Sequence, residues 1–156
     1  VRLPDGRIVR QTRIDHKPTV SVVPVDREGN LVLIRQYRSA VKKHLLETPA
    51  GNMDPGESVE ETVQRELAEE TGYQAGRLIK LFEGYLVPGY CNEFMYFYLA
   101  VDLFEKRLPQ DEDEIIEIVK IPLEEALGML KNGGIFDAKS AVGILMTSDY
   151  LKEHKN

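Results

Sequence analysis

The sequence predicts an α/β fold with a mixed β-sheet held between helical layers. Three observations carry that prediction. Apolar, β-branched runs recur between turn signals along most of the chain. One helical segment interrupts these strands, and two more follow them. The run "FMYFYLAVDL" (94–103) is apolar on both alternating faces, which suits a central strand covered on both sides.

The elements follow in order. "TVSVVPV" (19–25) and "LVLIRQY" (31–37) read as strands. Between them, "DREGN" (26–30) places Gly29 and Asn30 where a hairpin turns. "HLLETPAG" (44–51) is a short strand entering a Pro/Gly turn. Residues 58–71 read as helix. Ser58 and Glu61 fit a capping box at its start, and Gly72 suits the left-handed position past its end. "LIKLFEGYLV" (78–87) is a strand, and "VPGYCNE" (87–93) is a loop. "LPQDEDE" (108–114) is an acidic loop leading to the strand "IIEIVKI" (115–121). "PLEEALGMLKNGG" (122–134) starts with proline and ends in glycine, as a helix does. Residues 137–152 form a last amphipathic helix.

The 156 residues are expected to form one domain, 1–156, long enough for a real core. Hydrophobic residues make up 42% and charged residues 29%, an ordinary globular balance rather than a disordered one. The net charge of −6 argues against nonspecific binding to nucleic acid or anionic membrane. An acidic protein that binds phosphates needs local arginines or metal ions. No apolar run approaches 18 residues, so no membrane span is expected, and no signal-peptide pattern is visible. Val1 is not a methionine, so nothing rests on where the chain starts. Cys91 is the only cysteine, which excludes an internal disulfide and fits a reducing, cytoplasmic setting.

The stretch "GESVEETVQRELAEETGY" (56–73) concentrates glutamate. At about 100° per residue, Val59, Val63 and Leu67 form one stripe, the expected buried seam. Glu60, Glu61, Gln64 and Ala68 point away from it and read as the solvated face. Glu66 and Glu70 lie one turn apart along the edge of the stripe, with Glu69 one step further round. Three carboxylates gathered beside a seam repel one another and lose hydration, which costs stability unless positive charge compensates. Arg65 is expected to offset part of it. Either a divalent cation supplies the remainder, since hard cations take oxygen ligands, or the helix carries an arginine–glutamate network without metal.

Spacing then becomes informative. Gly51, five residues, Glu57, seven residues, Arg65-Glu66-Leu67, Ala68, Glu69-Glu70, Thr71, Gly72-Tyr73 reproduces the whole Nudix box. The chain therefore resembles the Nudix hydrolases. Their fold is an α/β/α sandwich with a mixed sheet and an acidic catalytic helix. They cleave nucleoside diphosphates linked to a further group, using divalent cations. "RQYR" (35–38), "ETPAG" (47–51), "VPGYCNE" (87–93) and "DEDEIIEI" (111–118) fall in the order found in the ADP-ribose pyrophosphatase subfamily. Pro88 lies sixteen residues past Gly72, as the marker proline of that subfamily does. The resemblance covers roughly residues 15–145.

The resemblance implies a set of roles. Glu66 and Glu70 resemble direct metal ligands, Glu69 a ligand or neighbour of one, and the Ala50 carbonyl a further ligand. Glu57 and Arg65 are similar to an ion pair that orients the helix. Arg38 resembles the arginine on the diphosphate, with Arg35 in the same substrate-binding run. Glu112 matches the loop carboxylate that acts as base, with Glu114 the alternative. Pro88, Gly89 and Glu93 are expected at the substrate. The implied cofactor is Mg²⁺, with Mn²⁺ or another divalent cation able to substitute. The implied reaction turns ADP-ribose and water into AMP and ribose 5-phosphate. A homodimer is implied, with residues 1–15 as an N-terminal strand or dimerisation segment. One departure concerns the base: the chain has no tryptophan and no aromatic residue before Tyr37.

Other readings compete. Another nucleotide sugar or a dinucleotide would use the same site. A sensor would bind ADP-ribose without cleaving it, but every box glutamate is present. Among tempting residues, Cys91 has no histidine in a recognisable motif, so a nucleophilic thiol is not expected. His16 and His44 read as structural or surface groups. Tyr85, Tyr90, Tyr96, Tyr98, Phe94 and Phe97 read as core packing more than as a stacking cluster. Gly133-Gly134 reads as a helix end, since no strand leads into it.

Overall fold

A computed structural model of the chain describes residues 1–109 and 115–154. The elements are β1 (Thr19–Pro24), β2 (Asn30–Arg38), β3 (Lys43–Glu47), β4 (Ala50–Asn52), α1 (Val59–Thr71), β5 (Tyr73–Tyr85), β6 (Phe94–Glu105), β7 (Ile116–Pro122), α2 (Leu123–Asn132) and α3 (Ala138–Glu153). Strands β4-β1-β6-β5 form a mixed sheet in which only β1 and β6 run parallel. Strands β3-β2-β7 form a second, antiparallel sheet.

The expected mixed sheet is present with a second, antiparallel sheet added to it, and the hairpin is shorter than its turn promised. Val25 bridges Leu31, and the Asp26 N–H donates to the Asn30 carbonyl at 2.9 Å. Beyond that point β1 and β2 part. Turn residues encode a local reversal but not the partner further along the strand. All six residues of β1 are buried, and β4 and β6 satisfy its two edges.

The mixed sheet is covered on both faces. Val20, Val22, Tyr98 and Ala100 pack with Val63 and Leu67 of α1. Val23 and Leu99 face the other way, packing with Ile144 of α3 and Ala126 of α2. β6 is thus the central, two-sided strand its sequence announced. Gly143 lets α3 approach closely: a β-carbon there would lie 2.9 Å from Val23 Cγ2.

Helix α1 is bounded as expected. The Ser58 hydroxyl accepts from the Glu61 N–H, the Glu61 carboxylate accepts from the Ser58 N–H, and Gly72 takes a left-handed φ of 75°. Such a cap is worth about 1 kcal/mol. Its solvated face is narrower than expected. Ala68 is fully buried, because the chain after β6 returns over it: the Leu108 N–H reaches the Ala68 carbonyl at 3.5 Å. Gln64 both donates to and accepts from the Ala75 backbone on β5. Glu60 is exposed but accepts from the Tyr98 hydroxyl at 2.8 Å. Burial, aided by Glu60, raises the Tyr98 pKa.

Candidate active site

Strand β4 sets one wall of the site. Ala50, Gly51 and Asn52 pair with Ser21, Val20 and Thr19 of β1. The Ala50 N–H donates to Glu70 Oε2 at 2.9 Å, so strand backbone fixes that carboxylate. Gly51 leaves the space that Glu66 occupies. A β-carbon at Gly51 would sit 2.0 Å from Glu66 Oε1. Glu66 and Glu70 are both buried, as the edge of the apolar stripe requires.

Arg65 stands at the centre of the carboxylates. Its Nε and Nη2 donate to the two oxygens of Glu57 at 2.8 and 3.0 Å. Its Nη1 donates to Glu66 at 2.7 Å and to Glu69 at 3.0 Å, and Nη2 also reaches the Asn52 carbonyl. The expected Glu57–Arg65 pair is present, and Arg65 offsets more of the cluster than its sequence position implied. Hydrogen bonds from Arg65 hold the Glu57 carboxyl down to about 2, with the Asp54 N–H and Thr62 hydroxyl helping. Glu57, then Glu66 and Glu69, raise the Arg65 pKa in return.

Arg65, Glu66 and Glu69 line a polar cavity of ≈ 200 Å³, where they and the β4 residues Ala50 and Gly51 meet Lys17 and Asp54. Its donor chemistry fits a divalent cation: carboxylate and carbonyl oxygens of the kind hard cations take. The Gly51 gap keeps Glu66 tight against the β4 backbone. Among the described residues, no three of His, Cys, Asp and Glu converge as a ready ligand set. The Arg65 guanidinium lies between Glu66 and Glu69.

The other expected site residues are placed unevenly. Glu93 accepts from the Thr19 hydroxyl at 3.0 Å. Thr19 pairs with Asn52 and with Met95, so Glu93 lies at the Asn52 end of the sheet. Pro88 and Gly89 belong to a turn closed onto the Val87 carbonyl. They line a separate surface cavity of ≈ 300 Å³ with Tyr85, Tyr90 and Arg13. Tyr85 and Tyr90 are thus exposed, whereas Phe97 and Tyr98 pack in the core as expected. Arg38 grips Glu47 through Nε at 2.9 Å and Nη2 at 2.8 Å, and Arg35 lies 3.8 Å from Glu117. Glu112 and Glu114 lie outside the described residues.

Sequence reasoning gave no role to Asp137, Lys139 and Ser140, and had Glu47 only as the first residue of the "ETPAG" marker. Lys139 pairs with Glu47 and, at 2.8 Å, with Asp137. Burial alone would raise the Glu47 pKa, but Arg38 and Lys139 together outweigh it and hold it below the ordinary value. The one available signal was an aspartate directly before a helix, which marks a cap and not a site.

The NUDIX domain family model matches residues 15–141. The chain belongs to the Nudix family. This Nudix chain is 36% identical over 146 residues to the ADP-ribose pyrophosphatase of Bacillus subtilis (strain 168), covering 92% of the chain and 79% of that protein. It is 33% identical to the methanol dehydrogenase activator of Bacillus methanolicus, covering 99% of the chain and 85% of that protein. It is 38% identical to the GDP-mannose pyrophosphatase of Yersinia enterocolitica, covering 81% of the chain and 68% of that protein. A solved ADP compounds hydrolase superposes with a TM-score of 0.86 at 30% identity, covering 97% of this chain and 83% of that one. The Nudix fold and hydrolase class expected from the box are met. Among the described residues no helix is long and apolar enough to cross a membrane.

Proposed function

We propose that this Nudix hydrolase cleaves the diphosphate of ADP-ribose, giving AMP and ribose 5-phosphate, with Mg²⁺ as cofactor. The observation that carries this reading is the carboxylate excess around Arg65, where Glu57, Glu66 and Glu69 share one guanidinium beside a polar cavity. Ala50, Glu66, Glu69 and Glu70 would hold the cations, with Mn²⁺ or another divalent ion able to substitute. Bound there, they would screen the phosphates, polarise a phosphorus and lower the pKa of a water.

The chain's own residues supply the rest. Arg65 orients the helix carboxylates through Glu57. Arg38 and Arg35 meet the diphosphate, while Glu93, Pro88 and Gly89 contact the substrate. Glu112 takes the proton, with Glu114 as alternative base. The protein works in the cytoplasm as a homodimer that uses residues 1–15. Glu112→Gln is expected to lower kcat about a hundredfold with little change in KM. If Glu114→Gln does so instead, the base moves there.

The relative from Bacillus subtilis supports ADP-ribose as substrate, and those from Yersinia support a second reading, in which the substrate is another nucleotide sugar such as GDP-mannose. A panel of ADP-ribose, GDP-mannose and a dinucleotide separates them. A kcat/KM at least about tenfold higher for ADP-ribose supports the first reading, and the reverse order selects the second.

A further inference from the structure

The Nudix box accounts for α1 and β4 but not for the polar cluster at the start of α3. There the Asp137 carboxylate caps the helix, accepting from the Ser140 N–H at 3.0 Å and from the Ser140 hydroxyl. The same oxygen takes a bond from Lys139. Ser140 in turn reaches across the fold. Its Oγ accepts from the Thr48 N–H at 2.8 Å and lies 3.2 Å from Thr48 Oγ1. Thr48 Oγ1 also bonds Ser21 at 2.8 Å. Ser21, Glu47, Thr48 and Ser140 are at most 1% exposed. A buried polar group without its partner costs more than an ordinary hydrogen bond is worth, so these contacts fix geometry.

What they fix is the turn that enters β4. Thr48 is followed by Pro49, whose carbonyl accepts from the Val22 N–H, and then by Ala50 and Gly51. Ala50 holds Glu70, and Gly51 makes the space for Glu66. The path from α3 to the α1 carboxylates is thus Asp137, Ser140, Thr48, Ala50, Glu70, with a hydrogen bond or two residues of chain at each step.

We propose that Ser140 and Asp137 are positioning residues for this site, holding the Thr48–Gly51 turn so that Ala50 and Gly51 meet Glu70 and Glu66 in register. They touch neither substrate nor cation and act through the turn. The inference rests on the functional reading above where turnover and cation binding are concerned, but its geometric part does not.

The test is Ser140→Ala, with Asp137→Asn as the milder variant and Ile144→Val as a core control that lowers stability without touching the turn. Amide hydrogen exchange is read at Ala50, with Leu99 of β6 as internal reference. Mn²⁺ binding without substrate and the kinetics of ADP-ribose hydrolysis are then measured. In Ser140→Ala, Ala50 exchange accelerates at least about tenfold while Leu99 keeps its rate. Mn²⁺ binding weakens about tenfold, and kcat falls with KM within about twofold, as for a lost supporting contact. Asp137→Asn moves the same readouts by less, and Ile144→Val leaves Ala50 exchange and Mn²⁺ affinity in place. Unchanged Ala50 exchange and Mn²⁺ affinity in folded Ser140→Ala overturn the proposal. Should Ser140→Ala not fold, unchanged values in Asp137→Asn overturn it equally. If the wild type binds no Mn²⁺, the cation reading fails, while Ala50 exchange still decides whether the turn is held from α3.

Discussion

Among the described residues, two knots of charge are built to different rules. Around Arg65, three carboxylates share one guanidinium at the wall of an open cavity. Around the interior Glu47, Arg38 and Lys139 supply two cations to two anions, Glu47 and Asp137, with the Arg38 side chain opening to solvent. The interior knot is balanced because an uncompensated buried charge is costly. The cavity knot can stay anion-rich because water and incoming cations can reach it. The unbalanced knot is the one proposed to take cations, and the balanced one ties β2 and β3 to α3.

The largest effect is expected at Glu70, which the Ala50 N–H fixes beside the cavity knot. Glu70→Gln keeps the shape and an acceptor for the Ala50 N–H but removes a charge. Turnover is expected to fall at least about a thousandfold, some 4 kcal/mol of transition-state stabilisation, with circular dichroism unchanged. Full Mg²⁺-dependent activity in that variant would remove Glu70 from the site. Gly51→Ala probes the same knot sterically. Its β-carbon falls on the Glu66 carboxylate, so Glu66 must swing away. Activity should drop about a hundredfold, measured as kcat/KM, because a misplaced charged group loses most of its preorganised effect.

The interior knot should respond in stability instead. Lys139→Met leaves Glu47, 1% exposed, with one cation fewer, at a cost of about 3 kcal/mol in urea unfolding. Arg65→Gln disturbs the partly exposed Glu57 and Glu69 together with the buried Glu66 and should cost less, about 2 kcal/mol. Equal losses would erase the distinction between the two knots.

The smallest expected effect depends on pH. Glu57 is held at about 2 in the folded chain against an ordinary 4.5. Its pairing therefore stabilises the fold fully above pH 4.5, and that contribution drains away as the pH falls toward 2. The difference in unfolding midpoint between wild type and Glu57→Gln should be constant above this window and vanish near its acid end. A difference that persists unchanged to the acid end would break the assignment.

What was legible in the sequence follows the same division. Helix α1, with Ser58, Glu61 and Gly72 at its ends, was readable because caps are local signals. The cavity knot was readable because Arg65, Glu66 and Glu69 sit within about one turn of one helix, with Glu57 just before it. The interior knot was not, since residues 38, 47, 137 and 139 meet only through tertiary folding. Ala68 was misplaced for a related reason. A helical wheel knows one buried face, whereas α1 is also covered by the chain returning past Arg107 and Leu108. The split of β1 from β2 was hidden because "DREGN" specifies the reversal alone. Arg38 was found through its motif, and Glu47 opens the "ETPAG" marker, but nothing local to either residue pairs them with each other or with Lys139.

The most direct measurement is ³¹P NMR of ADP-ribose incubated with the purified protein, in Mg²⁺ and in excess chelator. AMP and ribose 5-phosphate should appear together in Mg²⁺, stop on chelation and resume when Mg²⁺ is restored. Turnover that continues undiminished in chelator, or an intact diphosphate in the presence of Mg²⁺, would contradict the reading of the Arg65 knot as a cation-dependent hydrolytic site.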